Sequence, residues 1–134
     1  MTKSICKQLR LIAFHRQNHK CFYCELPIWE EAVEYFAAKH GISIAQAKLR
    51  RSTAEHLVAQ KDGGLDTPGN IVAACAWCNS RRHAGRSNKA PEPQVYKCRI
   101  VQRMAVGKWH PAGSGVALNR NESVRGSDCR DARA

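Results

Sequence analysis

Acidic side chains are scarce in this 134-residue chain: 11 Asp and Glu stand against 22 Lys and Arg, a formal charge of +11. That balance excludes an acidic or neutral partner-binding module and points to a polyanion. Long apolar runs are also missing. The longest, Leu11–Phe14 and Ile71–Trp77, are far too short to cross a bilayer. Lys3, Lys7 and Arg10 are followed by no apolar h-region, so the N-terminus does not read as a signal peptide, and a cytoplasmic chain with no membrane partner is expected. Internal repeats are absent. The length suits one compact domain with a tail, and it leaves little room for a second core.

Cysteine, by contrast, is plentiful, at positions 6, 21, 24, 75, 78, 98 and 129. Four of the seven form two pairs, Cys21-Phe-Tyr-Cys24 and Cys75-Ala-Trp-Cys78, the usual way to offer four thiolates to a tetrahedral zinc. The pairs lie 50 residues apart, beyond the roughly 15–20 of a zinc ribbon, so a structural unit must sit between them. Thioredoxin-like redox chemistry is the competing reading, but neither pair has a βαβ setting. Cys6 and Cys98 fall in helical apolar patterns and read as small core residues. Cys129 lies in a polar tail.

Periodicity divides the chain. Ile5, Leu9, Ile12 and Ala13 predict a helix over 4–19. Trp29, Val33, Phe36 and Ala37 predict a second, stopped by Gly41, and Ser43 to Gln46 reads as a capping box opening a short helix to about Arg50. Thr53–Val58 and Ile71–Ala74 read as strands around a turn-rich segment, 61–69. A basic helix follows over about 79–85. Tyr96, Ile100 and Met104 share one face of a last helix, 93–109. Residues 112–134 are small, polar and charge-mixed, and read as disordered. The organisation expected is a single domain over 1–111, with a core at about 16–86 and a helical insert at 25–52.

Basic residues gather at the ends of this unit. Arg81, Arg82, Arg86 and Lys89 are placed to contact the phosphates of DNA without reading its sequence, and a solvated basic face is the plainer alternative. Acids concentrate on the first insert helix, at Glu25, Glu30, Glu31 and Glu34.

The segment Thr53-Ala-Glu55-His56, Asp62-Gly63-Gly64, Asn70 and Cys75-Ala-Trp-Cys78-Asn79 resembles the HNH endonuclease family. The resemblance covers about residues 16–86 and rests on several common elements in one order and spacing. It implies an α+β ββα-metal core, two strands and a helix around one divalent cation, in the branch where two CxxC zinc knuckles brace that core. It also implies a metal-dependent DNA endonuclease whose products carry 5′-phosphate and 3′-hydroxyl ends. His56 would activate water, Glu55 and Asn79 would hold Mg²⁺ or Mn²⁺, Asn70 would bond the loop backbone and steady His56, and Cys21, Cys24, Cys75 and Cys78 would bind structural Zn²⁺. His83, one helical turn after Asn79, is a candidate metal or phosphate ligand, or a residue touching the DNA backbone.

The chemistry agrees with these roles. Hydrolysis of an anionic phosphodiester needs an activated water and positive charge on the phosphate. A neutral imidazole can take the proton, and carboxylate and amide oxygens suit a hard cation. Neighbouring strand residues point to opposite faces, so Glu55 and His56 can divide the work only where the strand end twists. Singly, each residue has a plainer reading: a surface histidine, an incidental glutamate, an ordinary turn at Asn70, a helix N-cap at Asn79. Asp62 and Asp66 read as loop-shaping, Trp77 as zinc-site packing, and Trp29 and Trp109 as helix-core residues. Two departures from the family pattern are Glu where Asp is commoner at 55 and Asn for His at 79. Rival readings are a catalytically inactive zinc-bound nucleic-acid-binding module, and a nuclease acting on RNA or only within a larger complex. Oligomeric state is not legible here, and low sequence specificity is expected because no recognition domain is visible.

Overall fold

Two five-residue antiparallel strands carry the fold, β1 (Ser52–His56) and β2 (Ile71–Cys75), in register from Ser52 opposite Cys75 to His56 opposite Ile71. The computed structural model describes residues 2–84 and 90–111. Arg86, Lys89, Cys129 and the expected disordered segment 112–134 lie outside the described residues. Around the sheet run α1 (Thr2–Arg16), α2 (Val33–His40), α3 (Ile44–Lys48), α4 (Ala76–His83) and α5 (Pro93–Ala105). This is a mixed α and β fold, and β1, β2 and α4 form its ββα unit. Among the described residues, no helix is long and apolar enough to cross a membrane.

β2 is buried along its whole length, and its outer edge is closed without a third strand. The Gln17 side chain, just past α1, accepts from Ala73 N at 3.0 Å and donates to Ala73 O at 2.8 Å. Phe22 N, from the first knuckle, donates to the same carbonyl at 2.9 Å. This clamp sets the rotation of α1. Ala13 and Phe14 point into the core, with Cys6, Leu9 and Arg10 half-buried on the same side. The expected apolar face is therefore only partly right: Ile5 and Ile12 are 47% and 57% exposed on the flank. Cys6, expected in the core, is half-exposed, whereas Cys98 is buried as expected.

The first knuckle is a tight hairpin, with Cys21 N bonded to Leu26 O at 2.9 Å and Glu25 in the left-handed region at φ 62°. Its Tyr23, Leu26 and Ile28 join Ala13, Phe14, β2 and α5's Tyr96 and Ile100 in the main core, with Met104 packed against it. A smaller core lies between α2 and α3, where Phe36, Ala37 and Ala47 meet Trp29, Val33 and Ile42. Gly41 ends α2 at φ 65°, and the Ser43 hydroxyl caps α3 by accepting from Gln46 N at 3.1 Å. Trp29 Nε1 donates to Ala47 O at 2.7 Å. Arg10 binds Glu30 through both carboxylate oxygens, at 2.7 to 3.1 Å, which pins α1 to the chain entering α2.

Several boundaries differ from the sequence expectation for local reasons. β1 stops at His56, two residues early, because Val58 N pairs with the Asn70 side chain instead of a strand backbone. α4 opens at Ala76, three residues before Asn79, with Cys75 Sγ as the cap acceptor for Cys78 N at 3.3 Å. Asn79 is thus inside the helix and not its N-cap. α5 ends at Ala105, and Gly107 at φ 68° turns the chain so that Trp109 leaves the helix axis.

Between the strands, the Gly63-Gly64 pair does two separate jobs. Gly63 takes φ 91°, a left-handed turn, while a Cβ on Gly64 would lie 1.7 Å from Val58 O. Gly64→Ala should therefore lower stability by about 1–3 kcal/mol, whereas Gly69→Ala, with nothing within 4 Å of its added Cβ, should change it by less than about 0.5 kcal/mol. Urea denaturation of the two variants checks this, and equal midpoints would contradict it.

Candidate active site and zinc centre

The two CxxC pairs converge at the C-terminal end of β2. Cys21 and Cys24 come from the hairpin, Cys75 ends β2 and Cys78 lies in the first turn of α4. All four are buried, with sulfurs within 4.8 Å of one another and Cys24 and Cys75 4.0 Å apart. Sulfurs around a tetrahedral zinc sit roughly 3.7–3.8 Å apart, so this set fits the ion with little movement. Backbone N–H groups already point at the thiols: Tyr23 N to Cys21 at 3.4 Å, Cys75 N to Cys21 at 3.2 Å and Cys78 N to Cys75 at 3.3 Å.

Protonation tells the same story. Burial and neighbouring thiols push Cys24 and Cys78 well up. At Cys21 burial pushes the same way but is outweighed by hydrogen bonds from Cys24, Cys75 and Cys78, which hold it well down. Burial thus opposes ionisation of Cys24 and Cys78 without a cation, and a divalent metal is the natural partner for such a cluster. A second ring of groups surrounds it. Trp109 Nε1 donates to Cys78 Sγ at 3.2 Å and His110 Nε2 lies 3.4 Å from Cys24 Sγ. Burial, with the nearby Arg50 charge, pulls His110 down to about 4, so its ring is neutral and donates at Nε2. Trp77 packs here too, with its Nε1 on Trp109 O at 3.1 Å. Trp109→Phe should speed zinc release to a chelator by about 10–100-fold, as lost support of a ligand does. A colorimetric zinc-release time course reads it, and an unchanged rate would deny the bond a role.

Fixing Cys75 and Cys78 fixes the start of α4, and α4 carries the next three residues of interest. Glu55, 1% exposed on β1, is the hub. Its Oε2 accepts from Tyr23 OH at 3.1 Å and lies 3.3 Å from Arg82 Nη1, and its Oε1 lies 3.1 Å from His83 Nε2. Burial and the Glu55 charge push the Tyr23 hydroxyl far up, so it remains a donor. The His83 side chain is 35% exposed against 2% for Glu55, and so marks the solvent side of the pair. Asn79, one turn before His83, donates through Nδ2 to Thr53 Oγ1 at 3.0 Å and Ala54 O at 3.3 Å. Both bonds engage its nitrogen and leave the carbonyl oxygen as a cation donor.

His56 leaves the strand on the other side. Its Nε2 lies 2.8 Å from Asp66 Oδ1, and its side chain is 18% exposed. Hydrogen bonds from His56 and then Cys6 hold the Asp66 carboxyl below its usual range. Asp66 is therefore an acceptor at neutral pH and requires the His56 proton on Nε2, leaving the Nδ1 lone pair open. Asn70 ties the intervening loop with three bonds, from Val58 N at 2.8 Å and to Val58 O and Leu65 O at 3.1 and 3.0 Å.

Two neighbouring arginines have different fates. Arg81 is exposed, with its guanidinium 4.0 Å from the centre of the Trp77 ring. Arg82, expected to contact DNA, is 3% exposed and donates to Pro91 O, His56 O and Leu57 O between 2.9 and 3.2 Å. Its donors are spent on carbonyls and on Glu55, so a phosphate cannot reach it without unfolding that corner. Sequence reasoning also passed over Asp66 as an orienting group, Tyr23 as a donor to Glu55, and Trp109 and His110 at the thiols. The bonds of Trp109 and His110 span 31 and 86 residues, and no local pattern signals them.

Residues 38–85 match the family model described as HNH endonuclease. That segment holds both strands, the intervening loop and α4, so the match falls on the ββα unit. No curated protein and no solved structure matches the chain. The family match supports a nuclease-type function and, at a coarse level, a nucleic-acid substrate.

The arginine contrast is directly measurable. Arg82→Ala breaks a buried ion pair and should cost about 3–5 kcal/mol of stability. Arg81→Ala should leave stability within about 0.5 kcal/mol of the parent and weaken nucleic-acid binding. Thermal denaturation beside a salt-dependent binding assay separates the two, and equal stability losses would refute the assignment.

Proposed function

We propose that the chain is a metal-dependent endonuclease that hydrolyses DNA phosphodiester bonds, with His56 as the base that takes a proton from the attacking water. The observation that carries this reading is the meeting of Glu55 and His83 across β1 and α4, 3.1 Å apart, directly beside a histidine whose partner leaves one ring nitrogen open. Glu55, Asn79 and His83 offer carboxylate, amide and imidazole donors, a set that suits Mg²⁺ or Mn²⁺. When bound, that cation supplies positive charge to the phosphate and to the departing oxygen.

The chain's own residues do the rest. His56 accepts the water proton at Nδ1, while Asp66 holds Nε2–H and stabilises the imidazolium that forms. Asn70 is a positioning residue that keeps the loop, and with it Asp66, in place. In-line displacement needs the attacking water and the leaving oxygen on opposite sides of phosphorus. A base and a metal pair that leave the strand end in opposite directions suit that demand. Arg81, Arg99 and Arg103 are exposed cations for phosphate, and Arg103 also lies 5.6 Å from the Trp109 ring centre. Backbone contacts of this kind carry little sequence information, which supports low specificity.

Nicking of supercoiled plasmid by the purified chain with Mg²⁺ or Mn²⁺ is the test, run beside a single-stranded RNA. His56→Ala should lose about 10²–10⁴-fold in rate with the four-cysteine zinc still bound. Asp66→Asn should lower kcat more than KM. Equal cutting by parent and His56→Ala would refute the base assignment, and DNA binding without cutting by any variant would favour a binding module.

A further inference from the structure

We propose a second metal site at Cys6, His56 and Asp66, one that takes zinc and in doing so switches off the base. Three separate segments build it: α1 supplies a thiol, the end of β1 an imidazole and the following loop a carboxylate. Their ligand atoms all lie within 4.8 Å of one another. His56 and Asp66 are already 2.8 Å apart, and Gln60 Nε2 adds a contact to Asp66 Oδ1 at 3.5 Å. Each of the three residues is partly exposed, so an ion can reach the site from solvent, unlike the four buried cysteines.

Donor chemistry selects the ion. One sulfur, one nitrogen and one oxygen make a borderline-soft set of three with a fourth position open to water, which suits Zn²⁺ and not Mg²⁺. Donors around a tetrahedral zinc lie roughly 3.3–3.8 Å apart, and half-exposed side chains can close that gap by rotation. The hard donors Glu55 and Asn79 favour the other class of ion, so the two faces of the strand end sort metals by softness.

Occupancy has a defined effect on His56. Zinc at Nε2 displaces the proton now shared with Asp66, and a neutral imidazole must then carry its one proton on Nδ1. That nitrogen can no longer accept a proton from water. The Cys6 thiol releases its own proton to solvent as it coordinates. The inhibitory part of this inference rests on the nuclease reading above, but the metal site itself does not.

The test is a titration of the full chain with Zn²⁺, and in parallel with Co²⁺ as an optical probe of thiolate ligation, with bound metal counted in total per chain and the four-cysteine site filling first. Wild type should take two equivalents. Cys6→Ser, which removes a half-exposed thiol outside the proposed catalytic machinery, should take one and so report an intact four-cysteine site. Plasmid nicking in Mg²⁺ should fall in wild type as the second equivalent fills and persist in Cys6→Ser. Saturation of wild type at one equivalent, or two equivalents in Cys6→Ser, would overturn the proposal. Two equivalents in a wild type that never cuts DNA would sustain the site and sink the nuclease reading instead.

Discussion

Four sulfurs hold the functional half of this molecule in place. A two-stranded sheet with a single helix behind it buries too little apolar surface to be rigid alone, and here the strand-to-helix junction is also the second knuckle. Cys75 ends β2, caps α4 and belongs to the cluster, so one residue fixes strand end, helix start and sulfur position together. Everything that α4 offers β1 follows from that junction: Asn79 one turn in, Arg82 beneath Glu55, and His83 at the rim. The field of the cluster is balanced nearby by Arg50, 1% exposed, whose charge burial disfavours and the four sulfurs favour.

A buried carboxylate needs compensation whether or not a cation is bound. Arg82 and Tyr23 provide it on Oε2, while Oε1 faces His83. The division commits one oxygen to the buried Arg82 and Tyr23 and the other to the half-exposed His83. It also means that Arg82 serves the fold through the same group that would serve chemistry, which is why two adjacent arginines cannot be treated as one basic patch.

The order of elements was readable because it depends on neighbours in the chain. Turn formers, the Gly41 stop, the Ser43 cap and short strand segments act over a few residues, and the paired CxxC spacing implied a common sulfur site. Rotation about a helix axis is different. Leu9, Ile12 and Ile5 are equally apolar, and only the Gln17 clamp on Ala73, 56 residues away, decides that Ala13 and Phe14 turn inward. The same limit hid the fate of Arg82: its burial depends on carbonyls at Pro91, His56 and Leu57 that no periodicity brings together. Asp66 reads as a turn residue in sequence because its link to His56 exists only once Asn70 and the two glycines have folded the loop back. A thiol near the N-terminus looked like core filler for a similar reason, since nothing local places Cys6 beside residues 50 and 60 positions away.

Gln17 also bears on how the chain behaves in company. An open edge on a fully apolar strand such as Ile71–Cys75 is a template for another chain's backbone, and sheets with such edges tend to stack into aggregates. A single side-chain amide, presenting the same donor and acceptor as a peptide group, occupies the middle of that edge. The sheet is finished by a residue just past the end of a helix, and its edge is closed without the cost of a third strand.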